Sequence, residues 1–242
     1  MNKVLFTSII IMVASNIIPA QDAANLRTFY SIGRINATSS FGGMLNAMPT
    51  YPNTINGNYY FDDDTFREGF ISIRNIEKPF GPFQMRYNLH SNELEVNLKE
   101  GIRSLSLDKV TSFMWINNKA EEFYFVSCKG LKINNTPLDG FAQVISGEKL
   151  VLLKKRKAIL KKSTFNPLEV ENSSVDKIVK EDDYFLLLDS STINITKEKK
   201  RILSFFKGKY ENEVSKFLKN NDFNPKKENT LIAFTEFYNK LN

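Results

Sequence analysis

The densest group of side chains that could do chemistry is the run of carboxylates at Asp62, Asp63 and Asp64, which Glu68 follows closely. Clustered oxygen ligands suit calcium, but the alternating aspartates and central glycine of an EF-hand loop are missing. The run therefore favours a solvated turn over a metal site. Two carboxyls held across a cleft would also serve a hydrolase, for which Asp62, Asp64 and Glu68 are the candidates.

The strongest charge feature is a run of four basic residues, here called the basic quartet: Lys154, Lys155, Arg156 and Lys157. Apolar runs flank the quartet on both sides, so we expect a hairpin whose tip and outer edge carry lysines that prevent edge pairing. The functional alternative is an anion-binding patch for surface polysaccharide or nucleic acid. The quartet is therefore the candidate ligand-binding site of this sequence.

Catalytic and metal-binding motifs are missing from the rest of the sequence. One histidine, His90, and one cysteine, Cys128, all but exclude a zinc site. No Gly-x-Ser-x-Gly motif accompanies His90, and no glycine-rich phosphate loop occurs. We interpret His90 as an exposed turn residue and Cys128 as a buried core residue. The sequence thus predicts no catalytic residue, no metal site and no cofactor, nucleotides included, and it disfavours an enzyme.

The N-terminus has the composition of a cleavable secretion signal. Lys3 supplies a positive charge, and residues 4–18 are almost entirely apolar, a run too short to span a membrane comfortably. Ala20 offers a small residue at the cut, and no cysteine nearby could carry a lipid anchor. We expect a signal peptide over 1–20 and a periplasmic or extracellular protein that has no transmembrane span and is not a lipoprotein.

Three zones follow the signal. Residues 21–58 are rich in turn-forming residues and predict an irregular arm with one short strand over 28–32. Residues 59–195 alternate apolar and polar side chains in short runs, which is typical of antiparallel strands. Residues 196–242 change to a helical period and predict three short helices packed on the β domain. The order predicts an α+β fold, in which an antiparallel β-meander (roll, sandwich or partly open barrel) precedes a three-helix segment.

The clearest strand pattern is a hairpin with its turn at Ser91. Alternate residues of a strand share one face, so seven apolar side chains would face a common core: Phe83, Met85, Tyr87, Leu89, Leu94, Val96 and Leu98. Around the basic quartet we expect two separate strands, over 149–154 and 157–160. In the last zone we expect helices over 197–207, over 211–220 and from Pro225, which suits a first helical position.

Composition favours a binding module. The chain has 33 basic and 27 acidic side chains, a modest net charge of +6 that resembles an ordinary solvated face and makes nucleic acid a disfavoured partner. We expect Tyr59, Tyr60 and Trp115 to be exposed on strands. With no catalytic grouping, these aromatics favour a non-enzymatic module that binds an envelope protein or glycan. The alternative is a carboxylate-dependent hydrolase acting on an envelope or extracellular substrate.

Short motifs along most of the chain resemble those of a bacterial group. They are Asn58-Tyr59-Tyr60-Phe61-Asp62, Gly69-Phe70-Ile71-Ser72-Ile73, Met85-Arg86-Tyr87-Asn88, Glu93-Leu94-Glu95-Val96, Leu152-Leu153-Lys154-Lys155, Asp183-Tyr184-Phe185, Phe217-Leu218-Lys219 and Phe237-Tyr238-Asn239. Their order is similar to uncharacterised exported proteins common in Bacteroidetes-type bacteria. The resemblance implies export and a β-rich body with a helical tail. It implies no activity and transfers no catalytic residue.

Overall fold

A computed structural model describes most of the chain after the N-terminal arm. The described residues are 45–46, 55–105, 109–117, 119–162, 176–196, 199–208 and 210–241. The signal peptide predicted over 1–20, most of the arm predicted over 21–58 and the strand predicted over 28–32 lie outside these residues.

The described residues form one large antiparallel sheet and a small separate hairpin. The strands of the large sheet are β1 (Leu45–Asn46), β2 (Arg67–Ile73), β3 (Phe80–Asn88), β4 (Glu93–Leu98), β5 (Gly101–Leu105), β6 (Val110–Ile116), β7 (Glu122–Ser127), β10 (Phe141–Gly147), β11 (Leu150–Lys161), β12 (Lys177–Leu188) and β13 (Ser191–Asn194). The small hairpin pairs β8 (Lys132–Ile133) with β9 (Thr136–Pro137).

The large sheet departs from a simple meander at one point. Its strand order is β1-β5-β4-β3-β2-β6-β7-β10-β11-β12-β13, and every ladder is antiparallel. From β2 the chain winds through β3, β4 and β5 to one edge, and β6 then returns to the free side of β2. The rest runs by hairpins to the other edge. The predicted α+β fold with a β-meander and a helical tail is confirmed.

The hairpin predicted around Ser91 is confirmed as β3 and β4. Tyr87 lies opposite Leu94, and Met85 lies opposite Val96. The seven apolar side chains that alternation placed on one face all line a core enclosed by the first half of the sheet, here called the first core. The alternation of apolar residues therefore predicted correctly which face of this hairpin packs on the core.

The prediction that Tyr59, Tyr60 and Trp115 are exposed on strands is wrong. Trp115 is only 1% exposed and Tyr59 8%, while Tyr60 is half-buried. Trp115 packs in the first core against Phe125, with ring centroids 4.6 Å apart, and Phe113 stacks on Phe125 at 4.5 Å. A large aromatic ring stabilises the folded state most when its apolar surface is buried, which is why Trp115 and Tyr59 lie in the interior.

Three helices follow the sheet: α1 (Lys199–Phe205), α2 (Glu211–Asn220) and α3 (Glu228–Asn239). The helix predicted over 211–220 is confirmed at both ends. The third helix begins at Glu228 instead of Pro225, because Asn224 holds a turn in which its side chain accepts the Lys226 N–H at 3.0 Å. None of the helices in the described part of the chain is long and apolar enough to cross a membrane.

The helices cover one face of the sheet from β10 to β13. Leu152 and Leu186 from the sheet and Ile202, Leu231 and Phe234 from the helices are all fully buried in this second core. Because short helices cannot hide their apolar stripes alone, the sheet face supplies the missing partner.

A third core lies on the opposite face of the same strands. Residues 128–140, which include the β8–β9 hairpin, contribute Cys128 and Leu131 over Leu153 and Phe185. Cys128 is 1% exposed, so its predicted role as a buried core residue is confirmed. Burial raises the pKa of the Cys128 thiol to about 11. The strands β11 and β12 are thus covered on both faces over this part of their length.

Residues 55–61 bridge two strands that are not neighbours in the large sheet, β12 and β3. Asn56 forms a bridge with Lys177 at the start of β12, and Tyr60 forms a bridge with Asn88 at the end of β3. This segment therefore ties the long hairpin of β11 and β12 to the first core.

Candidate functional site on the hairpin of β11 and β12

The basic quartet lies in the middle of one long strand. β11 and β12 are 12 residues each and stay paired from Leu150 opposite Leu188 to Lys161 opposite Lys177. The predicted break into strands 149–154 and 157–160, with the quartet at a hairpin tip, is therefore wrong. The strand can continue through these four charges because each has a carboxylate partner.

Strand alternation divides the quartet between two faces. Lys154 and Arg156 share the face of Leu152, which the helices cover, whereas Lys155 and Lys157 share the face of Leu153. The four charges therefore do not form one continuous basic surface.

Lys154 binds the start of helix α3. Its ammonium donates to the Glu228 carboxylate at 2.9 Å, and the Tyr184 hydroxyl donates to the same oxygen at 2.9 Å. Burial and the neighbouring Glu228 carboxylate raise the pKa of Tyr184 well above its usual value, so this hydroxyl stays protonated. The arrangement places an acidic residue in the first turn of α3, where the helix dipole favours it.

Arg156 is the most highly connected residue of the quartet. Its guanidinium makes a bidentate contact with Asp182 at 2.7 and 2.9 Å and reaches Asp62 at 3.2 Å. It also donates to the Phe61 carbonyl oxygen at 3.0 Å and lies 4.7 Å from the centroid of the Phe61 ring. The hydrogen bonds that Arg156 donates to Asp182 raise the pKa of Arg156 despite its partial burial. Arg156 thus fastens the 55–61 segment to the hairpin.

The other two charges differ in burial. Lys155 is 5% exposed and binds both the backbone carbonyl and the carboxylate of Asp139, the latter at 2.8 Å. This hydrogen bond lowers the pKa of Asp139 below its usual value. Lys157 is half-exposed and contacts Asp183 on β12 at 2.6 Å. Every member of the quartet therefore has a carboxylate partner, and an anion would have to compete with it; anion binding stays a prediction.

The carboxylates near β2 differ in their exposure and in their partners. Asp62 lies against Arg156 and Arg67, at 3.2 and 3.9 Å, whereas Asp64 and Glu68 are exposed. Burial alone would raise the pKa of Asp63, but hydrogen bonds from Thr65 and Arg67 outweigh it and lower that pKa. Within the described ranges no group of three His, Cys, Asp or Glu side chains could hold a metal ion.

A buried ion pair that the sequence reasoning missed stabilises the loop before β2. Glu95 is fully buried and accepts from the Arg86 guanidinium at 2.7 Å. Arg86 lies 4.0 Å from the Tyr60 ring and 4.3 Å from the Phe66 ring. Arg86 and Glu95 are opposite each other across the predicted turn, so the hairpin register could have revealed this pair.

The long hairpin has two unlike halves. The proximal hairpin, 150–153 with 185–188, lies between the second and third cores. The distal hairpin, 157–161 with 177–181, extends beyond β10, whose last pair with β11 is Gln143 opposite Lys154.

Four aliphatic side chains lie at the end of the distal hairpin, here called the aliphatic tip: Ile159, Leu160, Ile178 and Val179. Ile159 is opposite Val179, and Leu160 is opposite Ile178, so the two pairs lie on opposite faces of the ribbon. Ile159 and Leu160 are each 37% exposed, and Ile178 and Val179 are half-buried. Exposed aliphatic side chains beside a row of paired charges make this end suitable for contact with another molecule.

His90 follows β3 at the predicted turn and is exposed, as expected, with its ring 4.7 Å from that of Tyr59.

Comparison of the chain with protein-family models, curated proteins and solved structures found no match.

Proposed function

We propose that this protein is an exported, non-enzymatic module of a bacterial cell envelope, and that it binds a partner through the distal hairpin. The observation that carries the proposal is the exposure of Ile159 and Leu160 at the end of a ribbon in which Arg156 pairs with Asp182 and Lys157 with Asp183. Two of the four large apolar side chains that are exposed in the described residues lie there; the others are Ile76 and Leu203.

Physical considerations support a protein contact over catalysis. Aliphatic side chains contribute to binding by losing contact with water, and they need no precisely placed reacting group. Internal ion pairs keep Arg156 and Lys157 in place, so the ribbon presents a defined shape. Pre-organised surfaces lose less conformational entropy on binding.

Export rests on the composition of residues 1–20 and on the stated resemblance. Mass spectrometry of the protein purified from its native host tests it directly. We expect the mature chain to begin at Gln21 and to be found in an envelope or extracellular fraction. An intact Met1 in a cytosolic fraction would contradict export.

Site-specific photo-crosslinking in the native host tests the binding surface. We expect a photoreactive side chain at position 159 to give a discrete adduct, while the same group at position 76 gives none. Ile76 is the matched control because it is also an exposed aliphatic residue, at 43%, and lies in the turn after β2. Equal patterns at both positions would remove the distal hairpin as the contact surface.

A further inference from the structure

One edge of β11 has no neighbouring strand near its end. β10 pairs with β11 only as far as Lys154, whereas β12 pairs with it as far as Lys161. The side of β11 that faces away from β12, from Ala158 to Lys161, is here called the outer edge. No strand in the described part of the chain pairs with it.

The register shows which backbone groups this edge presents. The Ile178 N–H donates to the Asn56 carbonyl oxygen at 2.9 Å, so the backbone groups of Ile178 point away from β11. In an antiparallel pair, opposite residues point their backbone groups the same way relative to the ladder, either both inward or both outward. Leu160 is opposite Ile178, so the Leu160 N–H and C=O point outward, as do those of Ala158 two residues earlier.

The same edge is covered over the first part of β11, from Leu150 to Lys154. At its first residue the Leu150 N–H donates to the Asn239 side chain at 2.8 Å, and the Asn239 amide donates to the Leu150 carbonyl at 2.9 Å. The next part pairs with β10. Among the residues that the structure describes, no strand pairs with β11 beyond Lys154, although the Ala158 side chain packs against the first core. An added strand would fit along the backbone of Ala158 and Leu160.

The side chains around the outer edge are aliphatic and basic. Ile159 and Leu160 are exposed, and Lys157 is half-exposed. Lys161 and Lys162 are exposed and form no ion pair with the residues that the structure describes. Residues 157–162 include no acidic side chain. The edge therefore complements a strand that alternates acidic and aliphatic residues.

Two other occupants fit this edge less well. A second copy would bring lysine-rich edges together with no carboxylate to offset the repulsion between opposed like charges. A lipid surface could take the aliphatic tip, but hydrocarbon offers no hydrogen-bond partner to the outward groups of Ala158 and Leu160. An acidic strand satisfies the backbone, the lysines and the aliphatic side chains together.

We propose that the outer edge of β11 at Ala158–Lys161 binds an extended acidic segment of a partner protein as an added strand. This inference rests on the proposed function and specifies its partner. The added segment pairs with the backbone of Ala158 and Leu160, places carboxylates near Lys157 and Lys161, and packs aliphatic side chains on the tip.

A pair of substitutions at Leu160 separates backbone pairing from side-chain contact. Leu160→Ala removes the side chain and keeps the outward N–H, whereas Leu160→Pro removes both without deleting a hydrogen bond to β12. The probe is a fluorescent peptide of alternating glutamate and valine, with a lysine–valine peptide as control, measured by fluorescence anisotropy. Circular dichroism and thermal unfolding verify that each variant folds.

We expect the acidic peptide to bind the wild type more weakly as salt increases, and the lysine peptide not to bind. Leu160→Pro should weaken binding at least tenfold and Leu160→Ala about threefold, since the proline variant loses both strand pairing and side-chain packing and the alanine variant loses only the packing. Equal losses in the two variants, equal binding of both peptides, or binding to anionic lipid vesicles alone would overturn strand addition. The crosslinking at position 159 decides the proposed function separately, because an adduct there does not depend on backbone pairing.

Discussion

The proximal and distal halves of the long hairpin share the same two strands and one continuous register but differ in what covers them. The proximal half has helices over one face and residues 128–140 over the other, so Leu152 and Leu153 are fully buried. The distal half projects past β10 and exposes Ile159 and Leu160. The comparison shows that one continuous ladder can hold the fold together at one end and present a contact surface at the other.

The largest expected effect comes from shortening leucines on the same face of β11. Leu152→Ala should lower the free energy of unfolding by about 2–5 kcal/mol, because it leaves a cavity in the second core. Leu160→Ala should cost less than about 1 kcal/mol, because its side chain is already partly in water. Urea unfolding monitored by circular dichroism measures both, and similar losses would show that the distal half also belongs to the core.

The next largest difference in stability should come from removing Arg156 or Lys157, two neighbouring cations at the boundary of the two halves. Arg156→Ala should cost about 2 kcal/mol, since it leaves Asp182 and Asp62 without their shared partner in a partly buried position. Lys157→Ala should cost below about 1 kcal/mol, because its pair with Asp183 is half-exposed.

Arg156→Lys is the control for the Arg156 substitution. It keeps the charge but loses the bidentate geometry, and we expect a loss between those of the other two variants. If all three variants unfold alike in urea, the guanidinium does not fasten the 55–61 segment.

Alkaline pH should lower the free energy of unfolding by a smaller amount, through Cys128 in the third core over the proximal half. The pKa of Cys128 is raised from 9.0 to about 11 by burial, so the folded state holds this proton more tightly than the unfolded state. Its contribution is fully present below pH 9 and is lost as the pH rises towards 11. The cost is about 1 kcal/mol at pH 10.

Cys128→Ala isolates this effect from the tyrosines that also titrate at high pH, such as Tyr87. The variant should lose less stability than the wild type between pH 8 and pH 10 in paired urea titrations. Parallel pH profiles would mean that the thiol titrates alike in both states.

The sequence predicted correctly those parts of the molecule in which the local spacing of apolar residues matches the side chains that are buried in the structure. The hairpin around Ser91, helix α2 and the burial of Cys128 follow from apolar spacing or residue type alone. The first part of β12, Lys177–Asp183, could not be predicted from local pattern, because it is mostly charged and lacks an apolar alternation. In this stretch the strand is specified by its partner β11 instead of by its own sequence.

The pairing of the quartet could not be predicted for a related reason. Lys155 meets Asp139, 16 residues away, Arg156 meets Asp182, 26 residues away, and Lys154 meets Glu228, 74 residues away. Only the sheet register and the docking of α3 bring these partners together, and no local motif encodes either. Isolated basic runs therefore indicate charge, whereas tertiary structure decides whether that charge remains available.

The smallest expected effect on stability lies at the aliphatic tip. Ile159→Thr should change the free energy of unfolding by less than about 0.5 kcal/mol, because threonine keeps the β-branch and its hydroxyl remains in water. The matched change in the proximal half, Val151→Thr, should cost about 1–3 kcal/mol, because Val151 is 1% exposed and the hydroxyl would be buried there. Both residues share one face of β11, so backbone propensity cancels between them. If thermal unfolding showed that Ile159→Thr loses as much stability as Val151→Thr, the tip would be packed within the fold. Ile159 would then not be available to contact a partner.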